Sequence, residues 1–188
     1  MNKAFSKVRF IASAPSVKDF KGVYKPGILM VGRSNVGKST LINSILNQKV
    51  AFSSKKAGKT KSLNFFLVDE EFYLIDSPGY GSTSFATLST VQFSTLMEET
   101  LPHPLVKAIC LLVDLRREPG KDDIAFYEYL RGFGKKIIVV LTKTDQMNQS
   151  EKAAAIKWAE KLHFDRPILS DAKGSTREKI RAALLASV

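Results

Sequence analysis

The sequence predicts an α/β fold: a three-layer sandwich whose mostly parallel sheet of about six strands includes one antiparallel strand and carries helices on both faces. Three observations predict it. The apolar runs Val106–Val113 and Lys136–Leu141 have the pattern of parallel strands buried on both faces. Segments with helical apolar spacing alternate with the strand candidates along the chain. A glycine-containing loop lies between the apolar run Ile28-Leu29-Met30-Val31 and the first helical pattern, a strand–loop–helix order.

Each element follows in turn. An N-terminal segment runs to Pro26-Gly27, a turn signal. Leu41, Ile42, Ile45 and Leu46 recur at helical spacing, so a helix begins near Lys38. A lysine-rich loop, about Lys49 to Ser62, leads to the strand candidates Leu63–Val68 and Phe72–Ile75, which Asp69-Glu70-Glu71 joins as a hairpin. A Ser/Thr-rich loop then passes into a helix near Val91–Thr100. Ile124, Tyr127 and Leu130 fit a helix ended by Gly132 and Gly134, and Ala155, Ile156, Ala159 and Leu162 make one stripe of a helix over Glu151–Leu162. Pro167-Ile168-Leu169 is a last short strand. Ser175-Thr176-Arg177-Glu178 has the capping-box pattern and opens a terminal helix with Ile180, Ala183 and Leu184 inward.

Composition narrows the function classes. A chain of 188 residues fits one domain with a sizeable core. No apolar run approaches the roughly 18–20 residues of a membrane span, and Met1–Lys7 lacks the apolar stretch of a secretory signal, so a cytoplasmic protein without membrane contact is expected. The single Cys110 lies in an apolar run and reads as a buried core residue. The net charge of +11 is uneven. Residues 1–68 hold 13 Lys and Arg against one acid, Asp19, a balance of +12; the remainder holds 16 basic and 17 acidic residues, a balance of −1. Such asymmetry points to a polyanionic partner, a nucleic acid, in preference to a merely solubilising face.

Gly32-Arg33-Ser34-Asn35-Val36-Gly37-Lys38-Ser39 matches G-x-x-x-x-G-K-[ST], the phosphate-cradling loop of P-loop nucleotide-binding folds, here in strand–loop–helix context. Gly32 and Gly37 let the backbone wrap a phosphate with successive N–H groups inward, and the helix N-terminus adds partial positive charge. Lys38 should reach the β- and γ-phosphates and Ser39 should ligate Mg²⁺, with Thr40 next in line. Asp76-Ser77-Pro78-Gly79 ends the second hairpin strand, where Asp76 can hold a metal-bound water and the Gly79 N–H can sense a γ-phosphate. Thr142-Lys143-Thr144-Asp145 follows a strand at its C-terminal end, where α/β folds bind ligands. The Asp145 carboxylate can accept both N1–H and the 2-amino group of guanine, a donor pair that adenine lacks. Lys143 would lay its stem over the base and Thr142 would steady the loop. Leu169-Ser170-Asp171 would back the base with a backbone N–H.

Together these residues carry a resemblance. The chain resembles the bacterial EngB/YihA/YsxC GTPases of the TrmE–Era–EngA–EngB–septin group over nearly its whole length. The distinctive pieces are Ser13-Ala14, Gly32–Ser39 with Thr40-Leu41-Ile42-Asn43, and Gly58-Lys59-Thr60 with Leu63-Asn64-Phe65-Phe66. They continue with Asp76-Ser77-Pro78-Gly79-Tyr80-Gly81, Leu112-Val113-Asp114 and Thr142-Lys143-Thr144-Asp145. The resemblance implies a single G domain over residues 1–188, with residues 1–26 packed on or flanking it, and a monomer. It implies GTP and GDP binding with Mg²⁺, slow GTP hydrolysis, a part in assembling the large ribosomal subunit on its rRNA, and a need in normal cell division and septation. By position it makes Ser39 and Thr60 the Mg²⁺ ligands and Lys38, Thr60 and Gly79 the catalytic groups. Gly58, Lys59 and Thr60 join Gly32–Ser39 and Asp76–Gly79 at the phosphates; Thr60 is preferred to Ser53, Ser54 or Ser62 on the resemblance.

Two residues keep two readings each. Tyr80 stands where Ras-like enzymes place a water-orienting glutamine; a phenol is a poor substitute, which predicts slow intrinsic hydrolysis, unless Tyr80 is simply a packing residue. Asn35 matches a K⁺-holding asparagine of some relatives, but asparagine is also a good loop former. The sequence departs from the family at Ser82-Thr83-Ser84-Phe85-Ala86, which replaces Tyr-Ala and a nearby lysine, and at Asp171, where relatives often carry Ser or Ala. An RNA-binding module with a vestigial nucleotide site is the alternative, opposed by intact Lys38, Ser39, Thr60, Asp76 and Asp145. An ATP-dependent enzyme is opposed by Thr142–Asp145.

Overall fold

The computed structural model describes residues 5–51, 62–81, 90–171 and 176–188. Among these, seven strands form one sheet: β1 (Val8–Ala14), β2 (Gly27–Gly32), β3 (Leu63–Val68), β4 (Phe72–Asp76), β5 (Val106–Asp114), β6 (Lys136–Thr142) and β7 (Ile168–Leu169). Their order across the sheet is β1-β3-β4-β2-β5-β6-β7. β3 pairs antiparallel with both β1 and β4, and the remaining pairs are parallel, so β3 is the one reversed strand. The expected sheet of about six strands gains β1, a strand in the N-terminal segment. A break in register between Phe10 and Ala12 marks its irregular pairing with β3.

Among the described residues five α-helices cover the sheet: α1 (Lys38–Leu46), α2 (Thr90–Thr100), α3 (Lys121–Arg131), α4 (Gln149–Lys161) and α5 (Arg177–Leu185). Strand side chains alternate between faces, and β2 shows the consequence. Ile28 and Met30 pack with Leu41, Ile42 and Ile45 of α1 and Ile180 and Leu184 of α5. Leu29 and Val31 pack with Phe93 and Met97 of α2, Tyr127 and Leu130 of α3, and Ala155 and Ala159 of α4. Every residue of β2 is buried, as its unbroken apolar run requires. Cys110 lies fully buried in this core, and burial pushes its thiol up to about 12.

Two helical stripes turn out narrower than their spacing suggests. Ile124 is 39% exposed and Ile156 is 37% exposed, because α3 and α4 meet the sheet through Tyr127 and Leu130 and through Ala155 and Ala159. The two alanines bring α4 close enough that the flanking isoleucine is left at the rim. α4 is also capped more strongly than expected. Asn148 accepts the Glu151 N–H at 2.9 Å while the Glu151 carboxylate accepts the Asn148 N–H at 2.8 Å. The capping box expected at Ser175 falls on a residue outside those described, and Thr176, which precedes α5, makes no side-chain cap bond.

The N-terminal segment is held on the domain by polar and aromatic contacts. The Asp69 carboxylate accepts the Phe5, Ser6 and Lys7 N–H groups at 2.5, 2.9 and 2.8 Å. Phe5 meets Phe72 edge-on at 5.7 Å, and Phe20 stacks on Phe65 at 3.8 Å. Among the described residues no helix is long and apolar enough to cross a membrane.

Candidate functional site

Parallel strands end together, so the sheet gathers the motif loops at one edge. β2 runs into the phosphate loop, β4 ends on Asp76, β5 on Asp114, β6 on Thr142 and β7 on Leu169. Register fixes their neighbours: Met30 pairs with Asp76, Gly32 with Leu112, Asp114 with Thr142, and Leu141 with Leu169. This is the carboxyl edge at which open α/β sheets bind ligands.

The phosphate loop is shaped by two left-handed residues, Asn35 (φ 65°) and Gly37 (φ 102°), the second immediately preceding α1. Asparagine tolerates that backbone region, which accounts for Asn35 as a loop former. Gly32 is fixed by crowding, since a Cβ there would stand 2.8 Å from a Val36 methyl and 3.0 Å from the Leu112 carbonyl. Lys38, at the first position of α1, forms an ion pair with Asp76, and both side chains are nearly buried. Ser39 and Thr40 follow on the same first turn, with Thr40 facing a cleft. The hydroxyl of Ser39 and the carboxylate of Asp76 are hard oxygen donors. Such a set suits Mg²⁺, which takes few protein ligands and completes its shell with water and substrate phosphates.

The stretch after β4 lies against the phosphate loop. Ser77 is fully buried and its Oγ donates to the Met30 carbonyl at 2.8 Å. Pro78 is buried, and Gly79 packs so closely that an added Cβ would come within 2.8 Å of Ser34 Cα and 2.9 Å of Ser34 N. The Ser34 N–H donates to the Tyr80 carbonyl at 2.9 Å, and the Tyr80 N–H donates to the Gly32 carbonyl at 3.3 Å.

Of the two readings of Tyr80, the packing one describes its side chain. The ring lies 4.6 Å from Phe126 and 5.8 Å from Phe93, and the hydroxyl donates to Asp123 Oδ1 at 3.1 Å. Burial, then the neighbouring Asp123 charge, raises the phenol well above its ordinary range. Arg33 accompanies it, with its guanidinium 5.9 Å from the Tyr80 ring centre and 3.4 Å from Asp123 Oδ1. Arg33 therefore points toward α3. Asp123, a residue that no sequence motif singles out, links the phosphate loop to residue 80.

The loop after β6 is tied to the phosphate loop. The buried Thr142 hydroxyl donates to the Val36 carbonyl at 2.7 Å, and the Thr144 hydroxyl donates to the Ser170 carbonyl at 2.9 Å. Ser170 N donates back to Leu141 O at 2.7 Å, so the loops after β6 and β7 are braced together. Lys143 has φ 66°, and its side chain passes over the phosphate loop: a Cβ on Gly37 would lie 3.6 Å from Lys143 Cε. Gly37, Thr40, Lys143, Asp145, Ser170 and Asp171 line one open cleft with Val36, Leu41, Ser44, Thr142 and Gln146. Asp145 is exposed toward that cleft. Beside it, Arg116 forks onto Asp114 at 2.7 and 3.0 Å and reaches Gln146 at 2.8 Å, which stiffens the end of β5. Burial would raise the Asp114 carboxyl, but these Arg116 bonds hold it below its usual range.

The structure thus brings residues 32–40, 76–79, 142–145 and 169–171 to one edge. Gly58, Lys59 and Thr60 lie outside the described residues, as do Ser82–Ala86. The basic N-terminal third is less free than its count suggests. Lys7 and Arg9 pair with Glu70, Lys18 with Glu99, Arg33 with Asp123 and Lys38 with Asp76.

Comparison with known proteins gives consistent findings. A family model described as "50S ribosome-binding GTPase" matches residues 27–143. The chain is 36% identical over 187 residues to a probable GTP-binding protein EngB of Geobacillus thermodenitrificans, with 96% of each chain covered. It is 44% identical over 128 residues to a probable GTP-binding protein EngB of Lactobacillus helveticus; that match covers 67% of this chain and 65% of the relative, a little under two thirds of its length. The crystal structure of a probable GTP-binding protein EngB superposes with a TM-score of 0.65 at 26% identity, covering 86% of this chain and 97% of the other.

Proposed function

The chain belongs to the EngB family of P-loop GTPases, and on that premise we propose that it is a slow GTP-hydrolysing switch that assists assembly of the large ribosomal subunit. It works as one G domain over residues 1–188, and its action supports normal cell division and septation. The observation that carries this reading is the cleft shared by the two loops, where the Lys143 stem crosses Gly37 and Asp145 stands exposed.

In this reading a guanine base lies in the cleft, flanked by Lys143 and read by Asp145, while the loop after β7 backs it through the Ser170 and Asp171 backbone. The phosphates lie along residues 32–39, with Lys38 leaving Asp76 to meet the β- and γ-phosphates. Ser39 and Thr60, with Asp76 through water, would hold Mg²⁺, which would supply charge neutralisation at the phosphates. Gly79 offers its N–H to the γ-phosphate. Tyr80, turned toward α3, supplies no group to orient water, so intrinsic hydrolysis is slow. A K⁺ ion at Asn35 would supply charge where an arginine finger is lacking; equal rates in KCl and NaCl would eliminate it.

The rRNA partner rests on the charge asymmetry. Since five basic residues of the first third are paired with acids, the charge left for RNA among the described residues falls chiefly to Lys21, Lys25 and Lys49, while Lys55, Lys56, Lys59 and Lys61 lie outside them. The test is sedimentation with large ribosomal subunits in GDP, GTP or a non-hydrolysable analogue, across a salt series. Nucleotide-dependent attachment that weakens steeply with salt is expected. Attachment that ignores both nucleotide and salt overturns the switch.

A further inference from the structure

Asp123 lies on α3, outside every nucleotide-binding motif, yet four groups converge on it. Its Oδ1 accepts the Tyr80 hydroxyl at 3.1 Å and stands 3.4 Å from the Arg33 guanidinium. Its Oδ2 accepts the Gly120 N–H at 3.0 Å, capping α3, and lies 3.8 Å from Arg117. The carboxylate is 9% exposed, so its attraction for the two guanidinium groups is little screened by solvent. Arg33 belongs to the phosphate loop and Tyr80 to the stretch after β4. Asp123 therefore fastens these two segments to one rigid helix.

What the fastening holds is a close backbone contact. Gly79 touches the Ser34 backbone with no space for a side chain, and the Ser34 N–H is engaged by the Tyr80 carbonyl. A phosphate loop works by turning its N–H groups toward phosphate oxygens. A γ-phosphate approaching Ser34 meets a backbone already in contact with Gly79 and an N–H already donated.

We propose that Asp123 is a positioning residue of the nucleotide switch: it clamps Tyr80 and Arg33 together, which holds Gly79 and Tyr80 against Ser34, so that seating a γ-phosphate requires this clamp to yield. The proposal rests on the guanine-nucleotide reading above. A terminal phosphate and α3 then compete for residues 79–80. GDP, which has no third phosphate, leaves the clamp intact.

The test is equilibrium titration of the full chain with fluorescent GDP and with a fluorescent imido analogue of GTP, both with Mg²⁺. Wild type is compared with Tyr80→Phe and Asp123→Asn, and melting temperatures are recorded alongside. Tyr80→Phe keeps the ring against Phe93 and Phe126 and removes only the hydroxyl. A hydrogen bond to a charged acceptor is strong enough that its loss shifts a competing equilibrium by about tenfold. The expected result is an analogue-to-GDP affinity ratio about tenfold higher in both variants, with GDP affinity held within about twofold. A merely structural role would lower the melting temperature and weaken both nucleotides alike, leaving the ratio where wild type has it, and that outcome overturns the clamp. Wild type that binds neither nucleotide would instead overturn the guanine-nucleotide reading, and the clamp with it.

Discussion

Thr142→Val isolates the brace between the two loops that line the cleft. Thr142 is 5% exposed, and its hydroxyl donates to Val36 O at 2.7 Å and lies 3.3 Å from Val113 O. Valine has nearly the shape of threonine, so the substitution opens almost no cavity. It removes the donor and leaves a buried carbonyl of the phosphate loop without that partner, a cost of about 1–3 kcal/mol. We take about 1.5 kcal/mol, since the longer contact to Val113 adds little. For a domain of this size that corresponds to a melting temperature lower by about 3–6 °C. Urea unfolding followed by Trp158 fluorescence measures the stability, and nucleotide titration measures the site. GTP affinity should fall several-fold as the phosphate loop loosens, while discrimination against ATP persists because Asp145 is untouched. An unchanged urea midpoint would refute the brace. Loss of guanine selectivity would show instead that the Thr142 hydroxyl reads the base.

Asp145→Asn should move preference from guanine to xanthine nucleotides; competition binding with XTP and GTP measures it, and unchanged GTP selectivity would remove Asp145 as the base reader. Asn148→Ala removes half of the α4 capping box and should cost about 1 kcal/mol in urea unfolding; a variant as stable as wild type would mean the box is compensated by solvent. Cys110 holds its proton to about 12 in the native state, against 9.0 for a free thiol. The unfolded chain thus loses that proton first, and this group lowers stability as pH rises from 9 toward 12. Cys110→Ala should therefore show a shallower alkaline loss of stability than wild type, and equal slopes would argue against the buried thiol.

The proposed chemistry of the site is legible in the sequence because each loop is short and its residue types suit one task. A phosphate would need unobstructed N–H groups, which Gly32 and Gly37 allow, and a guanine edge would need a carboxylate, which Asp145 offers. The strands β2, β5 and β6 were legible because burial on both faces leaves unbroken apolar runs. β1 was not. Its residues alternate weakly, with Arg9 and Phe10 both exposed, and it is a strand only because β3, far along the chain at Leu63–Val68, offers an edge in register. The outward turn of Ile124 and Ile156 was hidden for a similar reason: spacing defines an apolar face, but the depth of packing chooses its centre.

The sequence by itself determined which residues stand in the strand-end loops and that those strands form a parallel sheet. Only the tertiary structure decided how the loops are coupled. The Tyr80 hydroxyl meets Asp123 across 43 positions, and the Thr142 hydroxyl meets Val36 across 106. No local pattern encodes either pair, since each depends on where a whole helix or strand is set against the sheet. A motif can specify the groups that touch a nucleotide, because that contact recurs with the same local geometry. The clamp and the brace depend on long-range packing, which fixes where α3 and β6 stand relative to the phosphate loop.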